Sequence, residues 1–181
     1  MKLEHGGNIS AAAQRFGIPV ERWIDLSTGI SPWCWPVPVV PQHVWQTLPY
    51  PDNHLESLAA QYYGCDSAAI LAVPGSQYAL QHTPGLLRRG SVALPQRGYA
   101  EHRAAWQRAG HRVVEYRDAA ALVELVGAGN VDHALVINPN NPTAELLPVS
   151  QLQALHERLA DSGGWLVVDE AFADVSRADS L

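Results

Sequence analysis

Four short stretches, 91–95 (SVALP), 112–117 (RVVEYR), 133–138 (HALVIN) and 165–170 (WLVVDE), are apolar at neighbouring rather than alternating positions. A strand with one face in water alternates apolar and polar side chains. A strand covered on both faces reads as a nearly unbroken apolar run. Helical stretches separate these runs. Residues 99–109 form one, closed by Gly110. Asp118 caps a second that runs through Val126. Ser150 caps a third, with Leu152, Leu155 and Leu159 on one side. This alternation predicts a three-layer α/β/α fold around a mostly parallel sheet.

The first half of the chain is less regular. A short helix is expected over 8–16, stopped by Gly17 and Pro19. A long connection over 27–51 contains six prolines, and a loop of that length usually carries function or covers a neighbour. Asn53, with Glu56 three residues on, opens a helix that places Leu55, Leu58, Ala59 and Tyr62 on one face and ends at Gly64. A further strand is expected over 69–73, broken at Pro74-Gly75, with Ser76 capping the next helix.

Composition narrows the function classes. With 12 basic and 18 acidic residues the net charge is -6, which argues against nonspecific nucleic-acid binding. Local donors can still hold a small phosphorylated molecule. No apolar run approaches a membrane span, and the N-terminal MKLEHGGNIS has no apolar signal core. Cys34 and Cys65 have no metal-like spacing and read as reduced thiols of a cytoplasmic protein; no metal site is expected. Lys2 is the single lysine.

In parallel sheets, ligands sit outside the carboxyl ends of the strands. Gly75-Ser76, Tyr99, Asn141 and Asp169 all fall at or just after such ends. Each has an ordinary reading when taken alone. Ser76 is a plain helix cap as readily as part of a phosphate cradle with Gly75 and Gln77. Asn141 makes an Asx turn before Pro142 as readily as it meets a ligand hydroxyl. Tyr99 packs or stacks on a flat ring. Asp169 is a solvated strand end, a metal ligand, an acid or base, or the partner of a buried cation. Together they describe a planar heterocycle carrying a phosphate. Ser76 takes the phosphate, Tyr99 lies on the ring, Asn141 meets a ring oxygen and Asp169 pairs with a protonated ring nitrogen. That ligand is pyridoxal 5′-phosphate.

The order YPD, PGSQYAL, P-x-x-GY, NPNNPT and VVDEAF, over about residues 45–175, resembles the large domain of fold-type I pyridoxal-phosphate enzymes of the class I/II aminotransferase family. HGGN, IDLSTGISP and DEAF are similar to its cobalamin-pathway branch, the threonine-phosphate decarboxylases. Aminotransferases of the family usually carry tyrosine three residues after the aspartate, where this chain has Phe172.

The resemblance implies a lyase that decarboxylates L-threonine O-3-phosphate to aminopropanol phosphate in cobalamin biosynthesis. It implies an arm and substrate-side segment over 1–44 and an incomplete cofactor-binding large domain over 45–181. It also implies a cytoplasmic homodimer in which Tyr50 reaches the neighbouring subunit's cofactor phosphate. His5 and the Gly29-Ile30 backbone are its implied substrate contacts. The family's cofactor-bearing lysine has no counterpart here. The chain is therefore expected to be a fragment or truncated product, poorly soluble and inactive alone. A histidinol-phosphate-type aminotransferase and a non-catalytic remnant are the alternatives.

Overall fold

The computed structural model describes residues 6–31, 33–48 and 54–175. Lys2, His5, Tyr50 and the expected cap Asn53 lie outside these residues. The chain divides into two compact units, Met1–Asp52 and Asn53–Leu181.

The first unit holds helix α1 (Ile9–Phe16). The Asn8 side chain accepts the Ala11 N–H at its start, and Gly17, at φ 64°, closes it. A glycine suits that left-handed position because a side chain there is strained. Phe16 packs against Trp23 with ring centroids 5.8 Å apart, and the Trp23 indole N–H donates to the Ile18 carbonyl. Short 3₁₀ turns follow at Val20–Arg22 and Gln42–Gln46. None of this unit's described residues is buried. Gly29 and Ile30 are both exposed there.

The second unit carries helices α2 (His54–Tyr63), α3 (Ser76–Leu86), α4 (Ala100–Arg108), α5 (Ala119–Gly127) and α6 (Val149–Ala160). Its strands are β1 (Ser91–Pro95), β2 (Arg112–Tyr116), β3 (His133–Ile137) and β4 (Trp165–Asp169). The sheet order is β2-β1-β3-β4, and every pairing is parallel. Successive strand residues face opposite layers. Ala93, Ala134 and Val136 join Leu122 and Val126 of α5 and Leu152, Leu155 and Leu159 of α6. Val92, Leu94, Leu135 and Ile137 join Trp106 of α4. The continuous apolar runs follow from this double covering. Asp118 caps α5 by accepting the Ala121 N–H at 2.8 Å.

Two expectations about local structure are corrected. Residues 70–73 pair with no strand. The chain makes a 3₁₀ turn at Ser67–Ala69, capped by Asp66, and then runs extended, with Leu71 80% exposed. Gly75 and Pro148, rather than Ser76 and Ser150, occupy the N-cap positions of α3 and α6, and neither helix has a side-chain cap. Helix α2 forms as expected but buries only Ala60, with Leu55, Leu58 and Tyr62 exposed. Periodicity marks an apolar face but does not supply the surface that covers it.

At the amino ends of the strands, Asp132 ties β3 to β1. Its carboxylate accepts the Ser91 N–H at 2.6 Å and the Ser91 hydroxyl at 2.8 Å. Gly164 passes so close that a Cβ would collide with the Asp132 carbonyl oxygen. Beside it, the fully buried His133 donates from Nε2 to the Arg88 carbonyl and accepts the Trp165 N–H at Nδ1. The Ser91 N–H, and then its hydroxyl, hold the Asp132 carboxyl below its ordinary range. A carboxyl depressed in the folded state adds stability above its unfolded value of about 3.9, and that stability is lost as pH falls through the lower folded value. Asp132→Asn is therefore expected to flatten the acid limb of the stability profile, read as urea midpoints between pH 7 and pH 3. An unchanged acid limb would show that the Ser91 contacts do not favour the charged form.

Candidate active site

The sheet order makes β1, β3 and β4 neighbours, so their carboxyl ends share one rim. Asp169 is the last residue of β4 and Asn138 is the first residue after β3. Their exits are tied directly, since the Asn138 N–H donates to the Asp169 carbonyl at 2.8 Å. The fully buried Asn138 side chain also grips Leu147 in both directions: Nδ2 donates to the Leu147 carbonyl at 3.1 Å, and the Leu147 N–H donates to Oδ1 at 2.8 Å. This closes the loop that carries Asn141. The first asparagine of NPNNPT is thus consumed by its own loop.

Asp169 is held as a carboxylate. Its side chain is 18% exposed, and Oδ2 accepts from His102 Nε2 at 2.8 Å while Oδ1 accepts the Ala171 N–H at 3.0 Å. The His102 contact lowers its pKa, burial opposes this, and the Ala171 N–H adds to the lowering. The net direction is down, so the site holds a fixed negative charge at neutral pH. His102 itself is 6% exposed and sits in the first turn of α4, three residues after Tyr99. That spacing puts both rings on one side of the helix start, and they meet edge to face at 6.2 Å.

Helix α3 points its amino end at the same region. Gly75 stands at its N-cap with φ 82° and ψ 161°, a conformation open essentially to glycine alone. The Tyr78 N–H donates to the Gly75 carbonyl at 3.1 Å, and with no side-chain cap the Ser76 and Gln77 N–H groups stand beside the positive end of the helix dipole. Ser76, His102, Trp106 and Asp169 line a common cavity of about 740 Å³, together with Tyr62, Tyr63 and Glu170. That volume lies in the range of small-ligand sites.

Tyr99 does not line this cavity. It borders a smaller hollow of about 120 Å³ that His102 also lines, and its hydroxyl donates to the Gln77 side-chain oxygen Oε1 at 3.4 Å. Burial, then the charges of Glu101 and Asp169, push its phenol pKa up. The structure therefore joins Ser76 and Asp169 in one cavity and links Tyr99 to Gln77. Asn141 is half-buried on the neighbouring loop and lines neither hollow. His5 and Tyr50 lie outside the described residues. The described residues hold no cluster of metal-ligating side chains.

Sequence reasoning missed His102. The only available signal was a histidine one helical turn beyond Tyr99, and its meaning depends on a contact 67 residues away.

A family model for aminotransferases of class I and II matches residues 42–180. The chain belongs to the aminotransferase class I and II family. Its members are pyridoxal-phosphate-dependent enzymes. Across 99% of its length the chain is 45% identical to the threonine-phosphate decarboxylase of Pseudomonas aeruginosa, and it covers 53% of that protein. The crystal structure of L-threonine-O-3-phosphate decarboxylase from Porphyromonas gingivalis superposes with a TM-score of 0.57 at 26% identity, over 69% of this chain and 40% of that one. Histidinol-phosphate aminotransferase from Sinorhizobium meliloti, solved with pyridoxal-5′-phosphate, gives 0.61 at 24% identity over 74% and 39%. This last likeness speaks to the fold alone. The chain spans about half the length of the curated relatives it matches.

Proposed function

We propose that this chain supplies the cofactor-binding part, about residues 45–181, of a pyridoxal-phosphate-dependent lyase. Its substrate is L-threonine O-3-phosphate and its product aminopropanol phosphate, a building block for cobalamin. The observation that carries the cofactor reading is the charge of Asp169, kept ionised by His102 and Ala171 at the wall of a cavity that also receives Ser76. A half-buried carboxylate of this kind calls for a cationic partner, and a protonated pyridine nitrogen is one. When bound, the cofactor supplies an electron sink for the bond broken at the substrate's Cα.

The chain's own residues have separate tasks. Gly75, Ser76 and Gln77 offer backbone and hydroxyl donors to the phosphate. Asp169 keeps a proton on the ring nitrogen, and His102 keeps Asp169 ionised and oriented. Tyr99 covers the ring and Asn141 meets its hydroxyl. In a cytoplasmic homodimer, Tyr50 of one subunit serves the phosphate of the other. The family resemblance proposes His5, Gly29 and Ile30 as substrate contacts.

Phe172 and the Pseudomonas likeness favour decarboxylation over transamination. The single lysine, Lys2, stands in no family motif. Binding by these 181 residues is accordingly noncovalent, without turnover.

The test is a titration of the chain with pyridoxal phosphate, followed by absorbance, with L-threonine O-3-phosphate or histidinol phosphate then added. Saturable binding is expected, weakened by about 1–3 kcal/mol in Ser76→Ala, the usual worth of a hydrogen bond to a charged group. Only the phosphothreonine should perturb the bound cofactor's spectrum. A response to histidinol phosphate alone would favour the aminotransferase reading. No saturable binding would leave the chain a non-catalytic remnant.

A further inference from the structure

The second asparagine of NPNNPT is bonded within the protein through its amide nitrogen, while its Oδ1 is buried with no hydrogen-bond partner among the described residues. Asn140 is 9% exposed, and its amide nitrogen donates at 2.7 Å both to the Arg97 carbonyl and to the Thr143 hydroxyl. Its own N–H donates to the Glu145 carbonyl at 2.8 Å. The Thr143 contact lies within the β3–α6 loop. The Arg97 contact crosses 43 residues of sequence to the β1–α4 loop, two residues before Tyr99.

The sheet leaves that gap to be bridged. The register between β1 and β3 pairs Val92 with His133 and Ala93 with Ala134. No pairing continues to the strand ends. Beyond it the two chains leave for opposite layers, since α4 packs with Leu94 and Ile137 while α6 packs with Ala93 and Val136. Ladder bonds therefore do not fix the distance between the Tyr99 loop and the Asn141 loop. The Asn140 amide joins the two loops directly, from the residue next to Asn141 to the residue but one before Tyr99.

We infer that Asn140 is a positioning residue that sets the separation of Tyr99 and Asn141 across the point where the β1 and β3 connections diverge; the inference rests on the cofactor reading of those two residues. The amide is required because two acceptors, a carbonyl and a hydroxyl oxygen, converge on its NH₂ group. A carboxylate of the same shape opposes the Arg97 carbonyl with a second acceptor. It keeps only the Thr143 contact, by rotation of that hydroxyl.

The experiment compares Asn140→Ala, Asn140→Asp and Thr143→Ala by amide hydrogen exchange without cofactor and by pyridoxal phosphate titration. Both Asn140 variants should speed exchange about tenfold in residues 97–100 as well as 141–145, while the β1 and β3 amides keep their protection. Their cofactor dissociation constants should rise on the order of tenfold. Thr143→Ala, which leaves the Arg97 bond intact, should speed only 141–145 and change the dissociation constant less than about threefold. If Asn140→Ala unfolds, the near-isosteric Asn140→Asp carries the comparison. Faster exchange confined to 139–147, or equal effects of all three variants on residues 97–100, would overturn the inference. Absence of cofactor binding by the unsubstituted chain would instead reject the cofactor reading, and the exchange coupling would still stand or fall by itself.

Discussion

Asparagine in place of Asp169 is expected to weaken pyridoxal phosphate binding roughly 100-fold, about 3 kcal/mol, the lower range for removing one partner from a partly buried charge pair. The amide is close in size to the carboxylate and still accepts from His102 or the Ala171 N–H, so the fold should persist. What it lacks is the negative charge that keeps a ring nitrogen protonated. Nitrogen NMR of ¹⁵N-labelled cofactor separates the two effects, because the ring nitrogen should shift to its deprotonated position in the variant. His102→Phe provides the graded case. It keeps an aromatic side chain against Tyr99 but removes the N–H that contributes most to the lowered Asp169 pKa. Burial then pushes that carboxyl up, so binding should fail at a higher pH on acidification than in the unsubstituted chain. Unsubstituted affinity in Asp169→Asn, with the ring nitrogen still protonated, would remove Asp169 from the site.

Much of the second unit was legible because its signals are local. Apolar runs such as HALVI need no neighbour to be recognised as doubly covered strands, and Asp118 before an alanine-rich stretch caps its helix as the sequence implies. What was not legible shares one cause. Residues 70–73 have the apolar character of a strand, but a strand exists only where another pairs with it. Leu55, Leu58 and Tyr62 keep helical spacing, yet whether that face is covered is a property of the rest of the fold. At the site, the positions following the strands were readable from the parallel-sheet rule, whereas the labour within NPNNPT was not. Asn138, Asn140 and Asn141 look alike in sequence. They are separated only by partners at Leu147 and Arg97 that no spacing rule supplies. His102 escaped for the same reason, since a histidine in a helix gains meaning only when a distant carboxylate arrives beside it.

Truncation of Trp106 should be the most damaging change to the fold. Trp106 is 1% exposed and fills the layer formed with Val92, Leu94, Leu135 and Ile137. Its ring also meets His111 edge-on at 4.7 Å and lies 6.1 Å from His133, the histidine bonded to both the Arg88 carbonyl and the Trp165 N–H. Removing it exposes apolar strand faces to a void and takes the aromatic wall away from two buried imidazoles. Trp106→Ala is expected to lower unfolding free energy by about 3–5 kcal/mol, the range for large aromatic truncations in cores. Against a typical total of about 5–15 kcal/mol, this is enough to leave a marginal domain largely unfolded. Leu58→Ala is the matched control. It also deletes apolar atoms from a helix, but Leu58 is 61% exposed, so the effect should stay within about 0.5 kcal/mol. Urea denaturation followed by far-UV circular dichroism measures both. Similar midpoints for the two variants would mean that the α4 layer does not hold the sheet, and that the cavity wall shared by Trp106 and His102 is set by some other contact.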